Sequence, residues 1–231
     1  MSAGRSDFFK FPHTPHLAWL SKTPPRVDKV LTPRGATDFL SGEVVVEEKV
    51  DGANVGLSVS AEGEVIAQSR GSMLGPGAHP QFEPLWPWLA RRRYALAKAL
   101  SPGRILFGEW CFAVHSIQYT KLPDWFLGFD VFDTEAGRFW STRRRDELLE
   151  ALGIARVPRI SQGTFDLRGL IKLLGPSYLT DKGMEGLYVR RDEGEWLLCR
   201  AKIVRAEFVQ SIEEHWSSRR LEKNTLVTAQ A

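Results

Sequence analysis

The sequence has little cysteine and no long apolar runs. Its two cysteines, Cys111 and Cys199, make neither a metal-ligand spacing nor a disulfide framework. No stretch approaches the roughly 18 consecutive apolar residues of a membrane-spanning helix. The N-terminus lacks the basic region and apolar stretch of a signal peptide. Internal repeats and low-complexity segments are also missing. These absences predict a protein of the reducing cytoplasm with no membrane partner.

Size and charge set only wide limits. A chain of 231 residues corresponds to one large domain, or to one domain with a small appendage. A hydrophobic fraction of 43% and eight tryptophans suffice for a packed core. The net charge of +3 and the isoelectric point of about 8.9 permit a polyanionic partner but do not require one.

The most informative stretch is the segment KVDGAN at residues 49–54. An apolar, β-branched run precedes it and a second apolar run follows it. Because Asp-Gly accepts the positive φ of a tight turn, this pattern predicts a β-hairpin with Lys49 at a strand end. A solvated hairpin lysine is the alternative to a nucleophile, since a lysine with the ordinary pKa of about 10.4 is almost fully protonated at pH 7.

The rest of the chain predicts strands and helices without a convincing linker. Residues 1–40 are rich in Pro, His and aromatics and are expected to be extended and packed on the domain. The predicted strands are 63–70, 103–112, 125–133, a partner after the turn at 134–137, and the hairpin 185–202. A helix is predicted within 80–100, with its regular part after Pro84 and Pro87. The other predicted helices are 142–152 capped by Thr142, 166–174, and 205–220 with Phe208, Ile212 and Trp216 as an apolar stripe, followed by a frayed polar tail.

Several charged or ligand-type residues have two interpretations. His13 and His16 are interpreted as packing or surface histidines rather than metal ligands, because no further ligand lies nearby in sequence. The arginine runs at 91–93 and 143–145 indicate solvated helix faces or contacts to an anionic partner. Arg70 ends a strand before a glycine-rich loop, either as a surface residue or as an oxyanion contact.

Acidic residues also mark strand ends. Glu109 stands in an otherwise apolar run, where a carboxylate is costly unless it is paired, so it lies at the wet end of its strand or has a role. The hairpin 185–202 is expected to bring Glu185 close to Arg200 and Lys202. A salt-bridged strand end is the alternative to a functional cluster there.

Taken in order, these segments resemble the motifs of the covalent nucleotidyltransferases, the superfamily of ATP-dependent polynucleotide ligases and mRNA capping enzymes. The resemblance covers residues 43–205, and the closest likeness is to the RNA ligase 2-like group. The matching segments are KVDGAN at 49–54 (motif I), Ser69-Arg70 (Ia), FGE at 107–109 (III), FLGFD at 126–130 (IIIa), EGLYV at 185–189 (IV) and Arg200-Ala201-Lys202 (V, usually Lys-x-Lys).

The resemblance implies an α+β fold in which two antiparallel sheets form a nucleotide cleft with helices outside. Residues 1–231 would form a single nucleotidyltransferase domain. Only about 26 residues follow Arg205, enough for one helix and a tail but not for the OB-fold domain that DNA ligases and capping enzymes carry. A short RNA ligase is therefore expected.

The resemblance also implies a mechanism. Lys49 attacks the α-phosphorus of ATP, releases pyrophosphate and carries AMP as a phosphoramidate. AMP then passes to an RNA 5′-phosphate, and a 3′-hydroxyl displaces it to seal the strand. Lys202, Arg200 and Mg²⁺ or Mn²⁺ would lower the pKa of Lys49 and stabilise charge on the phosphate oxygens. Arg200 replaces the usual lysine, which keeps the charge but changes the geometry.

The remaining roles follow from the same resemblance. In this assignment Glu109 binds the ribose hydroxyls, and Phe129 stacks on adenine with Phe132 as a rival on the opposite strand face. Asn54 and Arg70 contact ribose and phosphate, or the incoming 5′-phosphate end. Glu48 and Val50 contact the nucleotide, and Glu185 with Asp51 holds the metal. The alternatives are a DNA ligase or other nucleotidyltransferase, a nucleotide- or RNA-binding module without sealing activity, and an enzyme that needs a protein partner to bind RNA ends.

Overall fold

The computed structural model describes residues 8–22, 29–100, 103–210 and 221–227 and shows an α+β fold. This confirms the expected fold class. The strands are β1 Val44–Lys49, β2 Ala53–Val59, β3 Val65–Ser69, β4 Met73–Leu74, β5 Arg104–Trp110, β6 Phe126–Asp133, β7 Arg138–Phe139, β8 Arg159–Gly163, β9 Gly186–Glu193 and β10 Trp196–Val204. The helices are α1 Pro33–Phe39, α2 Leu85–Ala90, α3 Arg93–Leu100, α4 Thr142–Ala151, α5 Leu167–Lys172 and α6 Ala206–Gln210, with a 3-10 turn at Pro80–Phe82.

Two antiparallel sheets organise the chain. The small sheet has the strand order β10-β9-β1-β8, and the large sheet has the order β4-β3-β2-β5-β6-β7. Strand β1 pairs with β8 and β9, whereas β2 pairs with β3 and β5. The chain therefore crosses from one sheet to the other at residues 50–52.

The predicted hairpin between β1 and β2 is wrong, because each of these strands has its partners in a different sheet. Gly52 does not have the positive φ of a tight turn. It is needed for another reason, since a Cβ at this position would lie 2.7 Å from the carbonyl oxygen of Trp110. Lys49 does end a strand, as predicted.

Three apolar clusters fill the interior. The first covers one face of the large sheet and includes Leu85, Leu96 and Leu149 from α2, α3 and α4. The second covers the opposite face and contains Phe107, Phe129 and Tyr119. The third packs the small sheet against α1 and α5. Helices therefore lie outside the sheets, as the resemblance implies.

A bulge in β6 changes the predicted faces of its side chains. Phe107 pairs with Asp130 but Gly108 pairs with Gly128, which leaves Phe129 as an extra residue. Because a bulge shifts the alternation by one residue, Phe129 and Phe132 pack in the same cluster. The expectation that Phe132 lies on the opposite face from Phe129 is wrong.

Several helix predictions need correction. Pro33 begins α1, an unpredicted helix, at the first helical position where proline is tolerated. The predicted helix over 80–100 divides into a 3-10 turn, α2 and α3. Ser141 caps α4 by accepting a hydrogen bond from the Arg144 N–H, so the predicted cap is misplaced by one residue. No helix within the described ranges is long and apolar enough to cross a lipid bilayer.

The C-terminal region differs from the prediction as well. Helix α6 covers Ala206–Gln210, and the predicted continuation through Ile212 and Trp216 lies outside the described residues. Residues 221–227 are not frayed, because Asn224 is 4% exposed and is hydrogen-bonded in the core. Its Nδ2 donates to the carbonyl oxygens of Cys111 and Ala113, and its Oδ1 accepts from the Tyr119 N–H.

Candidate active site

A cavity of about 930 Å³ has residues of both sheets in its walls. The crossover segment 49–54 runs along it, so the first motif lies where the two sheets meet. Of the sequence-predicted site residues, those that line the cavity are Glu48, Lys49, Val50, Asp51, Asn54, Arg70, Glu109, Phe129 and Lys202.

Lys49 is held at the cavity by a carboxylate. Its Nζ donates a hydrogen bond of 2.5 Å to Oε2 of Glu185, and its side chain is 22% exposed. Burial lowers the pKa of Lys49, but the carboxylates of Glu185, Asp51 and Glu109 together outweigh burial and raise it above its ordinary value. The expected lowering of this pKa is therefore not produced by the side chains of the chain alone.

Hydrogen bonds to the backbone hold the crossover in position. The Asp51 N–H donates to Oη of Tyr119 at 2.8 Å, and the Asp51 carboxylate accepts from the Ser116 N–H at 2.6 Å. The Gly52 N–H donates to Oε1 of Glu109 at 3.1 Å. Tyr119 and Ser116 were not identified from the sequence, because nothing local to them indicates a contact across more than 60 residues.

Glu109 and Asn54 face each other across β2 and β5. Burial raises the pKa of Glu109 to about 8, although Lys49 acts in the opposite direction, so this carboxyl is largely protonated at neutral pH. Asn54 Oδ1 is buried and has no hydrogen-bond partner among the described residues. Because a buried acceptor without a partner is costly, this atom fits a ligand hydroxyl or amino group.

Lys202 supplies a second lysine. Burial lowers the pKa of Lys202 to about 8, and the positive charge of Lys49 acts in the same direction. In the β9–β10 hairpin Lys202 is opposite Tyr188, and its charge also acts on Glu185. The predicted proximity of Glu185 and Lys202 is thus found.

Arg200 is separated from this group. Its guanidinium donates to Oδ2 of Asp130 at 2.8 Å and lies over the rings of Phe11 and Phe139, at 4.4 and 4.0 Å from their centroids. Its side chain is 8% exposed and does not line the cavity. The expectation that Glu185 lies close to Arg200 is wrong, because the register of β9 and β10 places Arg200 opposite Arg190, and its guanidinium binds the buried carboxylate of Asp130.

Two aromatic candidates for base stacking are distinguished by position. Phe129 lines the cavity, with the Phe11 ring edge-on at a centroid distance of 5.4 Å. Phe132 stacks on Phe9 at 3.9 Å and does not line the cavity. Glu48 lies at the cavity. Its carboxylate accepts hydrogen bonds from Oγ of Ser177 at 2.5 Å and from the backbone N–H of Tyr178 at 3.0 Å.

A buried ionic network lies behind Phe129. Arg145 donates to both carboxylate oxygens of Glu47, at 2.5 and 3.1 Å, and to the Phe129 carbonyl oxygen at 2.7 Å. Arg190 donates to the same carbonyl at 3.1 Å and to Asp130. The network was missed because Arg145 sits in a run that resembles a solvated face. Glu47 and Asp130, charges inside apolar strands like Glu109, were the available signal.

Four other arginines of the two runs have partners within the chain. Arg143 pairs with Glu147 and Glu195, and Arg144 lies over the ring of Trp140 at 4.1 Å. In the first run Arg92 pairs with Asp124 at 2.9 Å and Arg93 pairs with Glu64 at 2.5 Å.

The proposed metal ligands are Asp51 and Glu185. Among the described residues, no group of three or more His, Cys, Asp or Glu side chains is arranged to hold a metal ion. The hydrogen bonds of these carboxylates to Ser116 and Lys49 use one oxygen of each. Mg²⁺ and similar ions are often held by one or two carboxylates together with substrate phosphates and water, and this pair fits such a site.

Comparison with known proteins decides the family. The RNA ligase family model matches residues 42–204. The chain belongs to the RNA ligase family. No curated protein matches this RNA ligase family member.

Solved structures of Naegleria gruberi RNA ligase have the same fold. A variant with ATP and Mn matches with a TM-score of 0.63 and 19% identity, over 84% of this chain and 59% of that chain. An apo variant matches with a TM-score of 0.63 and 20% identity, over 83% of this chain and 57% of that chain. A variant with AMP and Mn matches with a TM-score of 0.62 and 19% identity, over 86% of this chain and 62% of that chain. This RNA ligase family member thus spans less than two thirds of each of these chains.

Proposed function

We propose that this protein is an ATP-dependent RNA ligase that works through a covalent lysyl-AMP intermediate. The observation that carries the proposal is the position of Lys49 in a chain of the RNA ligase family. Its Nζ lies in a cavity that also presents Asn54, Glu109, Phe129 and Lys202.

In the first step the Lys49 amine attacks the α-phosphorus of ATP. A P–N bond forms, and the bond from phosphorus to the bridging oxygen breaks, so that pyrophosphate leaves with the electron pair. Glu185 Oε2, at 2.5 Å from Nζ, is placed to take the amine proton. Lys202 supplies positive charge for the developing charge on the phosphate oxygens. Mg²⁺ or Mn²⁺, held by Asp51 and Glu185, would supply further charge neutralisation there.

The nucleotide contacts follow from the cavity wall. Phe129 offers a ring for adenine, and Asn54 Oδ1 offers a buried acceptor for a ribose hydroxyl. Glu109, whose raised pKa of about 8 leaves its carboxyl largely protonated near neutral pH, is able to donate as well as accept. Val50 contributes apolar surface, whereas Arg200 acts at a distance by holding Asp130 beside the bulge.

In the second step an oxygen of an RNA 5′-phosphate attacks the phosphorus of the lysyl-AMP, the P–N bond breaks, and Lys49 is released as the amine. In the third step a 3′-hydroxyl loses its proton and attacks the 5′-phosphate phosphorus, the phosphoanhydride bond breaks, and AMP leaves. The family membership supports RNA as the substrate. The free thiols of Cys111 and Cys199 support a reducing, cytoplasmic location. Sealing of nicked RNA and of nicked DNA of the same sequence separates an RNA ligase from a DNA ligase. A protein partner for RNA ends is indicated if the adenylate forms but neither nick is sealed.

Intact-protein mass spectrometry after incubation with ATP and Mg²⁺ tests the nucleophile. Protein pretreated with pyrophosphate should gain one AMP, and Lys49→Ala should gain none, because no other lysine has the same position. Lys98→Ala, an exposed lysine on α3, is the matched control and should behave as wild type. An adduct that persists in Lys49→Ala would refute the assignment. ATP binding without any adduct in the wild type would favour the binding-module alternative, and an adduct with GTP alone would favour another nucleotidyltransferase.

A further inference from the structure

Residues 8–17, the N-terminal segment, form one wall of the cavity. Residues 11–15 line it directly. The segment is tied to the edge strand β10 at Lys202, whose N–H donates to the Pro15 carbonyl at 2.9 Å and whose carbonyl accepts from the Leu17 N–H at 2.8 Å. The proposed chemistry so far gives this wall no role.

The wall brings cationic and basic side chains together. His13 Nδ1 lies 2.9 Å from Nη2 of Arg70, and Lys29 lines the same cavity. The charge of Arg70, followed by burial and the charge of Lys29, lowers the pKa of His13. Lys202 lines the same cavity as Lys49, Arg70 and Lys29, and its backbone is hydrogen-bonded to Pro15 and Leu17 on either side of His16, so it joins the second lysine of the site to this wall.

These cations differ from Lys49 in their partners. Lys49 lies beside three acidic side chains, those of Glu185, Asp51 and Glu109. In the described part of the chain, neither Arg70 nor Lys29 has a carboxylate within salt-bridge distance. Cationic side chains gathered in a cavity without acidic partners fit a multiply charged oxyanion.

We infer that His13 and Lys29, together with Arg70, bind the β- and γ-phosphates of ATP and the pyrophosphate that leaves. The inference rests on the proposed function, because it requires Lys49 to face the α-phosphorus. Adenosine then occupies the side with Phe129 and Asn54, and the phosphate chain extends past Lys202 to the cationic wall. When the bond to the bridging oxygen breaks, the pyrophosphate carries its electron pair towards the positive charges of Arg70 and Lys29.

The decisive test compares ligands with and without the outer phosphates. Binding of AMP, of inorganic pyrophosphate and of an ATP analogue with a methylene bridge between the α- and β-phosphates is measured by calorimetry at one salt concentration. His13→Ala and Lys29→Ala should each weaken the analogue and pyrophosphate roughly tenfold, the loss of one charged hydrogen bond, and leave AMP within about twofold. Lys29→Arg should bind as wild type, and Lys98→Ala is the matched control.

Other outcomes overturn the inference. Equal weakening of AMP and the analogue would mean a general effect on the fold or the adenosine side, which thermal unfolding of each variant identifies. Unchanged analogue binding would remove the subsite. Normal analogue binding with impaired use of RNA 5′-phosphate ends would assign the wall to the RNA end instead of the nucleotide.

The same data separate this inference from the proposed function. If the wild type forms no adenylate but the variants still distinguish the analogue from AMP, the phosphate subsite stands and the ligase proposal fails. If the adenylate forms and the variants show no such distinction, the ligase proposal stands and the subsite fails. Sealing of pre-adenylated RNA, which needs no ATP, should be retained by His13→Ala and Lys29→Ala, and its loss would contradict the subsite.

Discussion

At the scale of single residues, burial moves the pKa values of two neighbours of Lys49 in opposite directions. The pKa of Glu109 is raised to about 8 and that of Lys202 is lowered to about 8. Both groups lose part of their charge near neutral pH for the same reason, the cost of desolvating the charged form. The cavity thus limits its own buried charge.

The stability of the protein should depend on pH through Glu109. A carboxyl whose pKa is higher in the folded state stabilises the fold below its unfolded pKa, and this contribution is lost as the pH rises through about 8. The free energy of unfolding of the wild type, relative to that of Glu109→Gln, should therefore fall between about pH 5 and about pH 9. Urea unfolding of both proteins checks this, and a constant difference would contradict the raised pKa.

Substitutions of Phe129 and of Phe132 should affect nucleotide binding differently. Both are buried core aromatics, so an alanine substitution at either costs stability, about 3–5 kcal/mol. Only Phe129 lines the cavity, and Phe129→Ala should weaken ATP binding by about 1–3 kcal/mol if the ring stacks on the base. Calorimetric titration at a temperature where both variants are folded measures this. Equal ATP affinities in the two variants would exclude Phe129 as the stacking residue.

At the scale of elements, one buried arginine links α4 to both sheets. Arg145 on α4 is fully buried and bonds Glu47 on β1 of the small sheet and the Phe129 carbonyl on β6 of the large sheet. The helix therefore connects the strand that ends in Lys49 to the bulge that aims Phe129.

Substitutions of two arginines of the same helix should change the free energy of unfolding by very different amounts. Arg145→Met leaves Glu47 as a buried charge without its partner and should destabilise the protein by about 3–5 kcal/mol. Arg143→Met removes two exposed ion pairs, with Glu147 and Glu195, and should leave the free energy of unfolding almost unchanged, because solvent screens the charges at the surface. Denaturant unfolding measures both, and Glu47→Leu combined with Arg145→Met should recover much of the loss. Similar costs for the two single variants would contradict a buried, energetically important pair.

At the scale of the whole molecule, the C-terminal segment 221–227 supports the first motif from a distance. Asn224 bonds the loop after β5 at both ends, and Tyr119 of that loop accepts the Asp51 N–H. The crossover beside the nucleophile is thus held by residues from the far end of the chain.

Removing the Asn224 side chain should loosen this connection. Asn224→Ala leaves two carbonyls and one N–H without partners and should lower the free energy of unfolding by about 1–3 kcal/mol or more. Thr225→Ala, an exposed neighbour, is the control and should change little. Hydrogen exchange of the Asp51 amide should accelerate in the first variant only. Unchanged exchange there would mean that the segment is bound without supporting the crossover.

The sequence by itself determined the fold class and the chemical types at the cavity. Three features are local in sequence and can be recognised from it directly: the strand-forming runs, the charged residues at strand ends and the ordered motifs. They led to Lys49, Glu109, Glu185 and Lys202, which the structure brings to one place.

Tertiary structure alone decided the rest. The crossing of Lys49–Asn54 between sheets, the bulge at Phe129, the pairing of Arg200 with Asp130 and the burial of Arg145 each depend on contacts between residues distant in sequence. Local propensity does not predict which strand a segment pairs with or which carboxylate an arginine binds. Both depend on the tertiary packing that removes the two partners from water.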